Sequence, residues 1–525
     1  MPQEYRIFGG PGTGKTTYLT KQISKALQKY EPREIYVVSF TKAAATEIAG
    51  RGCGIPDTNI GTIHAMCYRH SDRDGAPIVE TKQDLIDEWN ARYGSAWPVG
   101  KRSGFEAEYR PVLESGLGPL ESYSRQRSLM EPGRSQFGIA WERFKQEVEA
   151  VDFTDLLMMA PDELPGCKVL FVDEAQDMSP LQWSVVRRWG EKAEWFLVAG
   201  DDDQILYEFI GARVDEFLQP LPDEQKVILG QSVRLPKVIH AFSDKWIRQL
   251  GTRRQEKNWA PANDGGKISR SEASGRLPHI LVEQALERAE RGLSVMILAS
   301  CGFVLDPVVE ELSAQSVLFH NPYRKAFLKW NPYGDGTALP EAIRSWSRLC
   351  RAWAAGDQLV PKQTDSWLPW LKLVPARGCL KYGGRKKLEA MGGSYLDLID
   401  LIDNVITDET LHAVHTCNTD WLRDKVAGRY RSVNVSSLFK AFTKPGGTAP
   451  ENFKTVVGTV HSVKGGEADC VFLLPDISRS IDRDMAERGE GARDALTRMW
   501  YVGMTRARQE LVLCAPGGRF WTRMS

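Results

Sequence analysis

The chain has 525 residues, with 68 lysines and arginines set against 68 aspartates and glutamates. That balance excludes a uniformly basic nucleic-acid coat and an acidic disordered chain, so any nucleic-acid surface must be a local patch. With 42% hydrophobic residues, it is long enough for about three or four domains with sizeable cores.

The first half is punctuated by short apolar runs of strand character at Tyr5–Phe8, Ile35–Phe40, Lys168–Val172 and Trp195–Ala199. Between them lie helical patterns such as Thr16–Tyr30, with Leu19, Ile23, Ala26 and Leu27 at helical spacing. Apolar strands alternating with helices predict a parallel sheet in an α/β domain. From about Ser71 to Pro165 the rhythm breaks into a polar, mainly helical insertion. It resumes at Val227–Leu229, Val295–Ala299, Val471–Leu474 and Glu510–Cys514, interrupted between about Ala338 and Lys440. That second insertion has no long β-like run and carries helical stretches at Leu339–Ala354 and Ser394–Val405. Its basic run Arg385-Lys386-Lys387 reads as a solvated loop more readily than as a contact to duplex DNA. The nine cysteines contain no C-x-x-C pair, which argues against a disulfide scaffold or zinc ribbon and fits a reducing cytosol. No apolar stretch reaches the roughly 18 residues that span a bilayer, and the N-terminus has no signal-like core. The expectation is a cytoplasmic protein, of a bacterial or phage-infected host cell, with no membrane partner.

Gly9-Gly10-Pro11-Gly12-Thr13-Gly14-Lys15-Thr16 follows a strand and opens a helix. Glycines let backbone N–H groups curl around phosphates, and the helix N-terminus adds positive potential. Gly10, Gly12, Thr13, Gly14, Lys15, Thr16 and Thr17 are therefore the candidate ATP-binding residues. Lys15 would reach the β- and γ-phosphates, and the Thr16 hydroxyl would ligate Mg²⁺. Val169–Val172 leads into Asp173-Glu174-Ala175-Gln176-Asp177. At a strand's end, Asp173 would hold Mg²⁺ and Glu174 would polarise the attacking water as general base. Taken alone, this acidic run also reads as the cap of the helix that follows.

Further runs follow in order. Ser39-Phe40-Thr41-Lys42-Ala43-Ala44-Ala45, Gly61-Thr62-Ile63-His64-Ala65-Met66-Cys67 and Gly200-Asp201-Asp202-Asp203-Gln204-Ile205-Leu206-Tyr207 lie in the first half. Val457–Phe472, with Thr459, His461, Lys464, Gly465 and Glu467, and Arg498–Ala507 lie near the end. In this order they resemble the motifs of the UvrD/Rep/PcrA family of superfamily 1 DNA helicases. The resemblance implies two RecA-like P-loop motor domains with parallel sheets, each with a mainly helical insertion. The first motor would span 1–70 and 166–220 around an insertion at 71–165. The second would span 221–337 and 441–525 around an insertion at 338–440. It implies a 3′–5′ single-stranded DNA translocase and helicase that uses ATP and Mg²⁺ and engages single strands and their junctions with duplex. A translocase that displaces proteins without efficient unwinding, and a non-motor P-loop NTPase, remain the alternatives.

By the same resemblance Arg506 and then Arg234 are the candidate arginine fingers, both on the second motor, although an arginine taken alone usually serves a surface salt bridge. Gln204 would sense the γ-phosphate, and Glu467 would face the nucleotide. The DNA track would use Phe40, His64, Tyr207, Phe209 and His461 as stacking faces, with Thr41, Thr62 and Thr459 on phosphates. Phe40 leans towards a core role, and Tyr207 and Phe209 are balanced between core and stacking.

The chain departs from the family pattern in several places. Phe209 and Ile210 stand where relatives usually carry tryptophan and arginine, which removes a charge. Val233 stands where relatives place a tyrosine on adenine, and Thr17 where many have arginine. Only eight residues precede Gly9, so the glutamine-bearing adenine motif is not expected, and neither is a further domain beyond the last strand. The expectation is a motor that grips triphosphate firmly and reads the base loosely.

Overall fold

The computed structural model describes residues 4–50, 52–71, 75–94, 132–208, 211–315, 317–323, 330–331, 346, 349–350, 353–356, 359–361, 376–384, 386–387, 395–425 and 454–524. It divides into two compact units, Met1–Gly266 with Asp484–Thr505, and Lys267–Arg483 with Arg506–Ser525.

The first unit is built on six parallel strands: β1 (Glu4–Gly9), β2 (Ile35–Ser39), β3 (Ile60–Thr62), β4 (Val169–Asp173), β5 (Trp195–Gly200) and β6 (Lys226–Leu229). Their order is β3-β2-β4-β5-β1-β6. Successive residues of a strand point to opposite faces, and both faces here are covered, so strands read as continuous apolar runs. Thus Ile7, Val37 and Phe171 join one core with Leu19, Ile23 and Ala26 of helix α1 (Lys15–Ala26). Phe8, Val38 and Val172 join the other, with Leu181, Val185 and Trp189 of helix Pro180–Gly190. Helices α2 (Lys42–Gly50) and α3 (Ile63–His70) follow β2 and β3 directly. The predicted strand at Val227–Leu229, assigned to the second α/β domain, is β6 and pairs with β1 in this first sheet.

The roots of the first insertion share the second of these cores. Trp89, from α4 (Gln83–Tyr93), meets Trp141 edge-on at 4.9 Å and Phe144 at 5.4 Å. Beside them the buried Lys145 ammonium lies 2.9 Å from Glu142, 2.9 Å from Asp152 and 2.6 Å from Asp155. These three carboxylates are close enough to share a metal ion, but the lysine already supplies the positive charge between them.

The second unit carries five parallel strands: β7 (Lys267–Ser271), β8 (Val295–Ala299), β11 (Thr455–Thr459), β12 (Ala468–Leu473) and β13 (Ala507–Cys514). Their order is β11-β8-β12-β13-β7. Ile297, Val457 and Phe472 pack with Leu281 and Ala285 of helix Pro278–Glu290 and Val308 and Leu312 of helix Asp306–Ala314. The α/β class and the pair of parallel sheets are as expected. The second insertion, expected to be mainly helical with no long β-like run, holds a short antiparallel pair of β9 (Leu359–Pro361) and β10 (Tyr395–Asp397). Within the stretch predicted helical over Ser394–Val405, Tyr395–Asp397 is a strand and the helix runs from Leu398 to Asn404, because Tyr395 and Leu396 pair across to Pro361 and Val360. Arg385 of the basic run lies outside the described residues.

Removing one partner of a buried ion cluster costs about 3–5 kcal/mol, so Lys145→Met should lower the urea unfolding midpoint strongly. Burial, reinforced by Asp152, lifts the Asp155 carboxyl from 3.8 to about 6. A raised carboxyl means that the folded state holds the proton more tightly. Its contribution to stability is complete below the ordinary value and lost as pH rises through about 6. Asp155→Asn should flatten that part of the unfolding free energy against pH.

Candidate nucleotide site

The phosphate loop lies between β1 and α1, as the strand–loop–helix pattern requires. Gly12 and Gly14 adopt φ 71° and 78°, left-handed conformations that a side chain would strain. Gly14 is also the N-cap of α1, so the first N–H groups of that helix open onto the loop. Thr13 donates to the Gly10 carbonyl through both N–H (3.2 Å) and hydroxyl (2.8 Å), which tightens the curl. The Lys15 ammonium donates to the Gly9 carbonyl at 2.8 Å, which holds it across the mouth of the loop. Thr17 is exposed on the first turn of α1.

Asp173 ends β4, and Thr16 Oγ1 lies 3.5 Å from its Oδ2. A hydroxyl and a carboxylate side by side are hard oxygen donors of the kind Mg²⁺ takes, so these residues fit that ion. Glu174 follows with φ 55°, an uncommon conformation for a residue with a side chain and one that clusters at functional sites. Gln176 donates to Glu174 Oε2 at 2.8 Å and accepts the Asp201 N–H at 3.0 Å. Gln204 donates to Asp201 Oδ2 at 2.5 Å. A continuous hydrogen-bonded line thus runs from Glu174 through Gln176 and Asp201 to Gln204.

Under that line lies a charge cluster that the sequence reading missed. The fully buried Lys257 ammonium contacts Asp201, Asp202 and Asp203 at 3.2, 2.5 and 2.9 Å. Arg254 clasps Asp203 with two bonds of 3.0 and 2.6 Å. Burial alone would depress the Lys257 pKa, but three carboxylates overcome it and hold the ammonium above its ordinary value. Burial likewise pushes Asp203 up, yet Lys257 and Arg254 hold it below the usual carboxylate range.

Arg234 sits beside the loop in the same unit, which differs from its expected place on the second motor. Ser232 Oγ donates to the Pro11 carbonyl (2.9 Å), and the Val233 N–H donates to Gly12 O (2.9 Å). A Cβ on Gly12 would lie 2.4 Å from Arg234 Cβ. Trp259 is a second missed neighbour, because a Cβ on Gly10 would fall 2.5 Å from its ring. Val233 is 79% exposed.

Helix Glu490–Met504 joins this unit through Trp246 Nε1, which donates to Thr497 O at 2.9 Å. Its buried Arg498 reaches Glu208 (3.3 Å) and Thr252 Oγ1 (2.9 Å). Glu208 stands two residues before Ile210, so a carboxylate paired with Arg498 occupies the loop where the sequence analysis noted a lost charge. Burial pushes the Glu208 carboxyl up, against the pull of Arg498.

The other predicted residues fall into separate groups. Thr41 and Thr62 accept N–H bonds from Ala44 and Ala65, both at 3.2 Å, and so cap α2 and α3 at the ends of paired strands. Phe40 and Tyr207 rings lie 5.3 Å apart, both half-buried against the core, and His64 meets Phe153 at 5.3 Å. Phe209 lies outside the described residues. In the second unit Thr459 stands at the N-cap position of the turn Val460–Val463 that carries His461, without a side-chain capping bond. There Glu467 pairs with Arg508 at 3.0 Å, and the buried Arg506 donates to Gly466 O at 3.2 Å.

A glycine-lined phosphate loop after the first strand of a parallel sheet, with an aspartate beside its threonine, defines the P-loop NTPase class. A family model described as an AAA domain matches residues 3–210, and one described as the UvrD-like helicase C-terminal domain matches residues 454–514. The ATP-dependent DNA helicase PcrA of Bacillus subtilis strain 168 is 26% identical over 296 residues, 50% of this chain and 40% of the relative. Proteins of the same name from Staphylococcus epidermidis strain ATCC 12228 and Leuconostoc citreum are each 26% identical, over 305 and 295 residues. They are covered to 41% and 39% of their length, for 51% and 50% of this chain. The matched region thus spans about two fifths of those relatives' own length. In these matches the chain is similar to the UvrD/PcrA-like helicases.

Lys257→Met would leave three buried carboxylates without their shared cation. It should cost about 3–5 kcal/mol in chemical unfolding, whereas an exposed lysine such as Lys237, paired to Asp264 on the surface, should cost under about 1 kcal/mol when replaced.

Proposed function

We propose that the chain is an ATP-dependent, Mg²⁺-requiring motor that moves 3′–5′ along single-stranded DNA and unwinds duplex at junctions. One observation carries the reading: the hydrogen-bonded line that links Glu174, the candidate base, to Gln204. A group assigned to hydrolysis and a group assigned to sensing the nucleotide are connected through the hydrogen bonds of Gln176 and Asp201. Lys15 and the loop N–H groups would hold the phosphates, and Thr16 with Asp173 would hold Mg²⁺, which screens phosphate charge. Glu174 would orient and deprotonate the attacking water.

The strand would run over the carboxyl edge of the first sheet. There the capped N-termini of α2 and α3 present backbone N–H groups to phosphates, as helix N-termini do for anions generally. Tyr207 and Phe40 lie in contact next to them. Arg234 and Arg506 are the proposed stabilisers of transition-state charge, and Glu467 is assigned to the nucleotide side. The names of the similar PcrA proteins and the UvrD-like family match support DNA as the polymer and ATP as the fuel.

ATP turnover measured with and without single-stranded DNA, followed by unwinding of duplexes bearing a 3′ or a 5′ tail, tests the reading. Strong stimulation and 3′-tail dependence are expected. Turnover indifferent to DNA would sink it, and protein displacement without strand separation would point to the translocase alternative. Lys15→Ala should abolish turnover. Glu174→Gln should retain nucleotide binding and lower kcat by about 10²–10⁴-fold. Arg506→Ala should depress kcat far more than KM.

Val233 presents a bare aliphatic face beside the loop, which supports loose reading of the base. The kcat/KM for ATP should exceed those for GTP, CTP and UTP by less than about a hundredfold, roughly 2.7 kcal/mol. A larger ratio refutes this point without touching the motor.

A further inference from the structure

The second sheet ends in a crevice of about 390 Å³ that the motif residues do not line. It opens beyond the carboxyl ends of β7 and β13, the general location of ligand sites on open parallel sheets. Its outer wall is the returning segment 515–524, which is stitched down by backbone bonds. Ala515 N–H donates to Ala273 O, Thr522 N–H to Pro475 O, and Ile477 N–H to Phe520 O, at 2.9, 2.9 and 3.0 Å. The walls are therefore fixed by the fold and not by a passing ligand.

The lining chemistry is specific. Arg270 and Arg523, both exposed, supply two guanidinium groups, and Trp521 supplies an indole that is 45% exposed. Arg270 is anchored by one bond to the Met524 carbonyl at 3.1 Å, which leaves further N–H donors of its fork. No carboxylate lines the crevice among the described residues. The nearby Asp476 is buried and turned to the Gly517 and Gly518 N–H groups. Guanidinium forks fit phosphate, and an exposed indole takes the face of a base. The volume lies near the lower limit of small-ligand sites, room for one nucleotide unit.

The position chooses between a free nucleotide and a strand. All pairings in this sheet are parallel, so the crevice lies on the same edge as Thr459 and His461. At about 4.8 Å per strand, β11 is roughly 15–20 Å away along that edge.

We propose that this crevice holds one nucleotide of a single nucleic-acid strand, with its phosphate on Arg270 and Arg523 and its base against Trp521. The inference rests on the motor reading above and extends its track beyond the motif residues.

The test is equilibrium binding of the full chain to oligo-dT of graded length, by fluorescence anisotropy over a salt series. Arg270→Ala with Arg523→Ala should flatten the slope of log K against log salt by about 0.7 per lost phosphate contact. The double variant should also shorten the occluded site by about one nucleotide. Trp521→Ala should weaken long oligonucleotides by about 5–100-fold, the range for one lost stacking contact. Oligonucleotides too short to reach the crevice should bind as before. The Lys and Phe replacements at these positions should restore most of the loss, and DNA-free ATP turnover should not change. Unchanged slope and site size in the double variant overturn the inference. So does competition in which dTMP or inorganic phosphate fills the crevice while strand binding ignores the substitutions. If the unaltered chain binds no single strand at all, the motor reading falls with it.

Discussion

The first unit turns on the attraction between one buried ammonium and three buried carboxylates. Lys257 lies at the centre of Asp201, Asp202 and Asp203, and without it the loop after β5 would place like charges together away from water. Such a loop could not hold its shape, because each uncompensated buried charge costs several kcal/mol. With Lys257 and Arg254 offsetting most of that charge, Asp201 orients Gln204 and offers its N–H to Gln176. The geometry of the candidate base thus depends on a lysine more than fifty residues downstream. Arg254, three residues before it, adds a bidentate clamp on Asp203. Strand β6 and the helix after it are therefore tied to the nucleotide-side loops, and so is Arg234, which packs on Gly12.

A second consequence concerns the segment Asp484–Thr505. The sequence reading grouped it with the later strands, yet its helix is fastened to the first unit by Trp246, by Asp494 bonding the Gly251 and Thr252 N–H groups, and by Arg498. Arg498 binds Glu208, the immediate neighbour of Tyr207. The loop assigned to the polymer and the helix that leads to Arg506 are thus joined by one ion pair. The Arg498 side chain in this pair is buried, while that of Glu208 is 30% exposed.

What could be read from the sequence was what lies contiguous in it. The phosphate loop and Asp173-Glu174 carry their chemistry in short runs, and the apolar strands β2, β4 and β8 are buried on both faces, so they stand out as unbroken runs. Strand β7 escaped notice because Lys-Ile-Ser-Arg-Ser is an edge strand with exposed polar residues. β6 was found as a strand but placed in the wrong sheet, since apolar periodicity says nothing about which neighbour a strand pairs with. Lys257 and Trp259 were missed because a lone lysine or tryptophan is ordinarily surface or core. The available signal was the run of three aspartates after an apolar strand, which demands a cation from somewhere. Second-insertion residues 395–397 were misread because their pairing partner is more than thirty residues away.

The root of the first insertion closes on a similar device with a different implication. Glu142, Asp152 and Asp155 bring three carboxylates close enough to share a cation, and Lys145 supplies that cation from within the chain. A covalently attached counter-ion has no dissociation equilibrium and is not diluted. A chelator would find no bound ion to withdraw from this joint, because its cation is a side chain of the same segment.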